Sequence, residues 1–117
     1  MNKSIQGGNM EYKITTRYHK PSVSLSEFQK KVHTNAVEKG FWNSGNIPEK
    51  IACIHEEVSE VLRAYKRRQD HQIPEELADI ILRTLDLAEH LGVNISKELL
   101  KKYSKNLKRQ YLHGKRC

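Results

Sequence analysis

The stretch IPEKIACIHEEVSEVLRAYK, residues 47–66, decides how the rest of the chain is read. Its apolar residues Ile51, Ile54, Val58, Val61, Leu62 and Tyr65 recur at three- and four-residue spacing, the period of one helical face. Pro48 suits the first turn of a helix, where a missing backbone N–H costs nothing. Glu57 falls at the edge of the apolar arc, and Glu60 lies about 60° further round. Glu56 faces Glu60 at i+4, and Glu57 faces it at i+3. Like charges therefore stand opposite one another in a chain whose net charge is +7.

Downstream, the segment following Pro74 repeats the arrangement. Leu77, Ile80, Ile81, Thr84, Leu87, Ala88 and Leu91 form its apolar arc, with Glu76 at the edge and Asp79 about 60° beyond. Gly92 ends this helix. Two further helices complete the set. Ser24-Leu-Ser-Glu27 fits a capping box, and the helix it opens carries Leu25, Phe28, Val32 and Val37 before stopping near Gly40. Asn94 or Ser96 caps a fourth helix running to about Arg109. No segment alternates with period two over a useful length, so no strands are expected. Four helices with short connections predict an all-α fold, a four-helix bundle over residues 23–117. Residues 1–22, with Gly7, Gly8 and Pro21, read as a loose N-terminal arm.

The composition narrows the classes. A length of 117 residues corresponds to one domain, and 37% apolar with 30% charged residues describes a globular chain with a modest core. The longest apolar run, Ile80 to Leu82, is far short of the roughly 20 residues a membrane span needs, so no membrane partner is expected. The N-terminus has no apolar stretch of secretory type. Two cysteines, Cys53 and Cys117, make no disulfide framework and point to a reducing, cytoplasmic compartment. The basic balance calls for an anionic partner, and charge alone does not choose it.

The two acidic pairs sit at equal offsets from their buried stripes. On antiparallel neighbours, equal offsets fall on the same side of the bundle, so Glu57, Glu60, Glu76 and Asp79 are expected to converge beside the seam. Their axial mismatch, near 9 Å at ~1.5 Å per residue, is within the ~16 Å reach of a five-residue connector such as Gln69 to Ile73. Carboxylates about 4 Å apart repel by on the order of 4 kcal/mol at an effective dielectric near 20. Such a group persists when it holds cations or keeps some members protonated. An all-oxygen donor set selects a hard ion, Mg²⁺ first and Mn²⁺ as a substitute. The plainer reading is a solvated acidic surface, for which the like-charge spacing is unfavourable. The helix dipole accounts for Glu75 and Glu76, just after Pro74, but not for the acids two turns inside the earlier helix. His55-Glu56-x-x-Ser59 fails the HExxH zinc motif at its last position, and no Glu-x-x-His pair of the di-iron type occurs.

Glu57-x-x-Glu60 and Glu76-x-x-Asp79, the doubled acids Glu56-Glu57 and Glu75-Glu76, the segment ELADIILRTLDLAEHLGV and the basic tail KYSKNLKRQYLHGKR together resemble the MazG-like nucleoside triphosphate pyrophosphohydrolases of the all-α NTP pyrophosphatase superfamily. The resemblance covers about residues 25–116. It implies hydrolysis of an NTP or dNTP to the monophosphate and pyrophosphate, with nucleotide-pool house-cleaning as one setting. It implies Mg²⁺ held by Glu57, Glu60, Glu76 and Asp79, with Glu56 or Glu75 orienting or deprotonating the attacking water. Lys105 and Arg109 would bind phosphate oxygens, with Lys50 a further candidate. Trp42 would either stack on the base or pack the loop after the first helix. The tail departs from the family pattern in reading Arg-Gln-Tyr where relatives often have Arg-Pro-Tyr. It also reads HGK where an extra glycine is common.

Relatives of this kind assemble as dimers or tetramers of four-helix units. Ala78, Leu82 and Leu85 give the third helix a second apolar face for such a neighbour. Arg83 and Asp86 are expected to pair with each other at i,i+3, or else to line the pocket. Two other readings compete: a small basic helical protein that binds nucleic acid, and a nucleotide-binding regulator without catalysis. The first has no use for the acidic quartet, which would repel a phosphate backbone, and nucleic acid is accordingly not the expected partner. The second leaves all four expected ligands unexplained.

Overall fold

The computed structural model describes residues 2–6, 9–13 and 23–116. Four helices follow one another: α1 (Leu25–Glu38), α2 (Ile47–Lys66), α3 (Ile73–His90) and α4 (Ile95–Leu107). They form an all-α bundle in which α3 is central, lying against both α2 and α1, while α4 packs on α1. The expected boundaries agree to within two residues. In the N-terminal arm, β1 (Asn2–Gln6) and β2 (Asn9–Lys13) pair antiparallel, with Asn2 opposite Lys13 and Gln6 opposite Asn9. This differs from the strandless arm read from the sequence. β1 holds a single apolar residue, Ile5, and shows no alternation, whereas Asn9-Met-Glu-Tyr-Lys13 does alternate and Gly7-Gly8 between the two segments is itself a hairpin signal. Gly7, Gly8 and Pro21 lie outside the described residues.

Local chemistry sets the helix ends. Ser24 Oγ accepts from Glu27 N at 3.2 Å, Asn46 Oδ1 from Glu49 N at 3.0 Å and Asn94 Oδ1 from Lys97 N at 3.1 Å. These side chains satisfy N–H groups that have no partner in the first turn. Three C-termini close in the same doubly bonded way, with a left-handed residue just past the cap. At the end of α1, Phe41 N bonds Ala36 O and Gly40 N bonds Val37 O. At the end of α3, Val93 N bonds Ala88 O and Gly92 N bonds Glu89 O. At the end of α2, Gln69 N bonds Ala64 O and Arg68 N bonds Tyr65 O, and here the left-handed position is Arg68, φ +56°. The α2–α3 connection then makes one 3₁₀ turn, Asp70–Gln72, directly into α3.

The interior is small. Among the described residues the buried apolar side chains are Ala64 of α2 and Leu85, Leu87 and Ala88 of α3. Gln29 of α1, also buried, donates Nε2–H to Val93 O at 2.7 Å and accepts from Ile95 N at 3.3 Å, tying α1 to the α3–α4 turn. The second apolar face of α3 is used differently from expectation. Leu85 is buried within the protomer. Leu82 shares a cavity wall with Val32 and Ala36 of α1, so α1 occupies the side assigned to a neighbour, and Ala78 stays exposed. The apolar surface left open lies elsewhere. Ile51, Val58, Leu62 and Tyr65 run down one face of α2, and Leu77 and Ile81 continue it on α3, each at least 45% exposed.

No described helix is long and apolar enough to cross a membrane.

Candidate metal centre

The α2–α3 seam brings together residues 19 to 22 positions apart in sequence. Glu57 of α2 and Glu76 and Asp79 of α3 each offer a carboxylate oxygen within 4.8 Å of the others, a spacing that one divalent ion can bridge. Between the two acidic pairs the chain passes through the left-handed residue Arg68 and the 3₁₀ turn Asp70–Gln72. All three groups are half-buried.

Glu60, the fourth carboxylate expected at this point, accepts a hydrogen bond from Arg63 Nη1 one turn along the same helix. It remains close enough to raise the pKa of Glu76. That carboxyl is pushed above the ordinary glutamate value first by partial desolvation against the seam, then by the charges of Glu60, Asp79, Glu57 and Glu75. Arg63 Nη2 also lies 3.8 Å from Glu56 Oε1, so one guanidinium relieves two of the glutamates of the HEEVSE run. The fit to a cation is chemical as well as geometric: the donors are all oxygen, their mutual repulsion is resolved in the Glu76 shift, and neutral partners are lacking among them. Glu75 is exposed in the first turn of α3, beside the cluster.

A cavity of about 330 Å³ opens next to the carboxylates, lined by Glu57, Asp79, Arg83 and Asp86 on its polar side. Val32, Ala36, Phe41 and Leu82 supply apolar wall, with the Asn35 amide among them. Arg83 and Asp86 both border this space but do not pair with each other as expected. Arg83 Nε donates to Glu57 Oε1 at 2.9 Å across the seam. Asp86 accepts from His33 Nδ1 of α1 at 2.7 Å and from Trp42 Nε1 at 3.0 Å. Each finds a better partner on another helix than its i+3 neighbour could be.

Trp42 is held on several sides. Its ring stacks on His90 at 3.9 Å between centroids, meets His33 edge-on, and carries the Lys50 ammonium 4.8 Å from its centre. Lys50 is buried and donates to Phe41 O, so its charge serves the loop after α1, and neither Lys50 nor Trp42 lines the cavity. The aromatic ring that does line it is Phe41, half exposed, with the Arg83 guanidinium 5.7 Å from its centroid. Lys105 and Arg109 are exposed at the end of α4. Arg109 Nη1 reaches Asn106 Oδ1 at 3.4 Å, and neither of the two basic residues lines the cavity.

Sequence reasoning missed Phe41, Asn35 and the roles of Arg63 and His33. Phe41, adjacent to Trp42, was visible as an aromatic; nothing in the pattern showed which of the two faces the carboxylates.

A helical pair that brings Glu57, Glu76 and Asp79 together beside an open cavity defines an all-α protein with a candidate cation site. The model of the MazG-like family matches residues 49–116, more than half of the chain, and the chain belongs to that family. Neither a curated protein nor a solved structure matched it.

Proposed function

We propose that the protein is a Mg²⁺-dependent nucleoside triphosphate pyrophosphohydrolase, converting an NTP or dNTP to the monophosphate and pyrophosphate. The observation that carries this reading is the meeting of Glu57, Glu76 and Asp79 within 4.8 Å, two of them on the wall of the cavity. Family membership supports the same reaction class.

Glu57, Glu76 and Asp79 would hold the ion in this reading, with Glu60 a fourth candidate ligand on the neighbouring turn. Mg²⁺ bound there would supply Lewis-acid polarisation of the phosphate and would acidify the attacking water. The chain supplies the rest. Glu56 or Glu75 accepts a hydrogen bond from the attacking water and takes its proton as the P–O bond between the α- and β-phosphates breaks, and pyrophosphate leaves. Arg83, already at the seam, faces the negative charge that develops there. Lys105 and Arg109 take the outer phosphates, and the open apolar face of α2 and α3 is the interface of a homodimer or homotetramer. In such an assembly the basic arm of one copy can serve the carboxylates of another.

The test is a panel of NTPs and dNTPs with Mg²⁺, scoring pyrophosphate against orthophosphate. Pyrophosphate release, reduced more than about a hundredfold by Asp79→Asn with the helical content unchanged, is the expected result. Orthophosphate alone, or no release across the panel, refutes the proposal.

A further inference from the structure

Asp86 is the polar wall of the cavity that hydrolysis leaves without a role. It stands seven residues beyond Asp79 on α3, so the two carboxylates share a helix face about 10 Å apart along the axis. Both line the same cavity. That separation is on the scale of a nucleotide's reach from its phosphate to its base.

The Asp86 carboxylate is fixed from behind. His33 Nδ1 lies 2.7 Å from Oδ1, and Trp42 Nε1–H is shared between Oδ1 at 3.0 Å and Oδ2 at 3.2 Å. An ionised carboxylate only accepts, so Nδ1 of His33 carries its proton. The side chain is 13% exposed. Two oxygens offer about four acceptor sites, and Oδ2 receives only the longer arm of the Trp42 bond. Acceptor capacity therefore remains on a residue that forms part of the cavity wall. Beside it, Phe41, Val32, Ala36 and Leu82 give flat apolar surface, the ordinary bed of a planar ligand with one or two polar anchors.

We propose that Asp86 reads the nucleobase, accepting from an exocyclic amino group and so favouring amino-bearing over oxo-bearing bases, cytosine over uracil in the simplest pair. The proposal rests on the nucleotide reading of the same site and names its substrate class. Cytosine presents N4–H₂ where uracil presents O4, and a carboxylate oxygen meeting O4 sets two acceptors face to face in a half-buried space. His33 and Trp42 act through Asp86 as positioning residues; they hold the carboxylate in one orientation and leave the base contact to it.

Trp42 is the chain's only tryptophan and touches Asp86, so its emission reports events at this wall. Titration of the unmodified protein with dCMP and with dUMP in Mg²⁺, followed by Trp42 fluorescence and repeated by calorimetry, is the direct test. The expected result is tighter binding of dCMP by about tenfold or more. Asp86→Asn, whose amide offers a donor as well as an acceptor, brings the ratio to one or below it. Equal affinities, tighter dUMP, no binding of either at millimolar concentration, or an unchanged ratio in Asp86→Asn overturns the proposal. The first comparison uses no variant, so misfolding of Asp86→Asn does not shield it. Equal cleavage of dCTP and dUTP to pyrophosphate overturns the base assignment and leaves the hydrolase reading standing; cleavage of neither, with selective dCMP binding, does the reverse.

Discussion

Arg83 of α3 donates its Nε–H to Glu57 Oε1 of α2 at 2.9 Å, so a guanidinium partly neutralises one of the three carboxylates placed to share a cation. The pair links the two helices that build the centre and moderates the repulsion within it. Arg83→Gln removes that positive charge. In chelator the variant should unfold at a lower temperature than the wild type. Its apparent Mg²⁺ affinity should rise by about tenfold or more, because removing a positive charge beside the centre removes its repulsion of the cation. Thermal unfolding across a Mg²⁺ series measures both, and weaker Mg²⁺ stabilisation of the variant contradicts the assignment.

Glu76 gives the centre a pH signature. Its folded pKa lies above the ordinary glutamate value, so folding is favoured when it is protonated and loses that contribution as pH rises through the folded pKa. In chelator at neutral pH, Glu76→Gln should therefore melt above the wild type. The difference should shrink as pH falls toward and below the unfolded glutamate range, and Mg²⁺ should abolish it by stabilising the wild type alone. Paired melting curves from acid to neutral pH check the sign, and a variant less stable than wild type in chelator at neutral pH refutes it.

Arg68 occupies the left-handed position that glycine fills at the ends of α1 and α3. It is exposed and its place in the turn is set by backbone bonds from residues 68 and 69 to 65 and 64. Relief of the Cβ clash outweighs the added freedom of the unfolded chain, so Arg68→Gly should stabilise the fold by up to about 1 kcal/mol. Chemical denaturation with an unchanged m-value reads this directly, and a loss of stability would show that the arginine side chain has a further role.

The open apolar face of α2 and α3 is the proposed interface for assembly. Leu62 is 53% exposed at the middle of the α2 stripe, and a surface of this kind on a small protein marks an interface. Leu62→Glu should convert a sedimenting dimer or tetramer to monomer while leaving the helical content intact. A wild-type protein that sediments as a monomer at tens of micromolar contradicts the expected assembly.

Most of the helical frame was legible in the chain because its signals are local. Ser24 and Asn94 cap through a bond three residues away, Gly40 and Gly92 end helices through their own φ, and Pro48 and Pro74 open them. The acidic pairs were legible for the same reason, as offsets on a single helix. What the sequence withheld is set between helices. Arg83 and Asp86 were expected to pair at i,i+3, yet Glu57 on α2 and His33 on α1 approach them more closely. Leu85 was expected to face another subunit, and its burial depends on the docking of α1, which no periodicity encodes. The pairing of Asn2–Gln6 with Asn9–Lys13 escaped because β1, with Ile5 as its one apolar residue, carries no alternation.

In the proposed reading Glu57, Glu76 and Asp79 share a divalent ion. A crystal grown with MnCl₂ and measured at the manganese absorption edge tests it most directly. The expected result is an anomalous peak between those three side chains, with Mn–O distances of about 2.1–2.3 Å, and its disappearance in Asp79→Asn. An ordered centre with no peak there, or manganese bound only at the surface elsewhere, would contradict it.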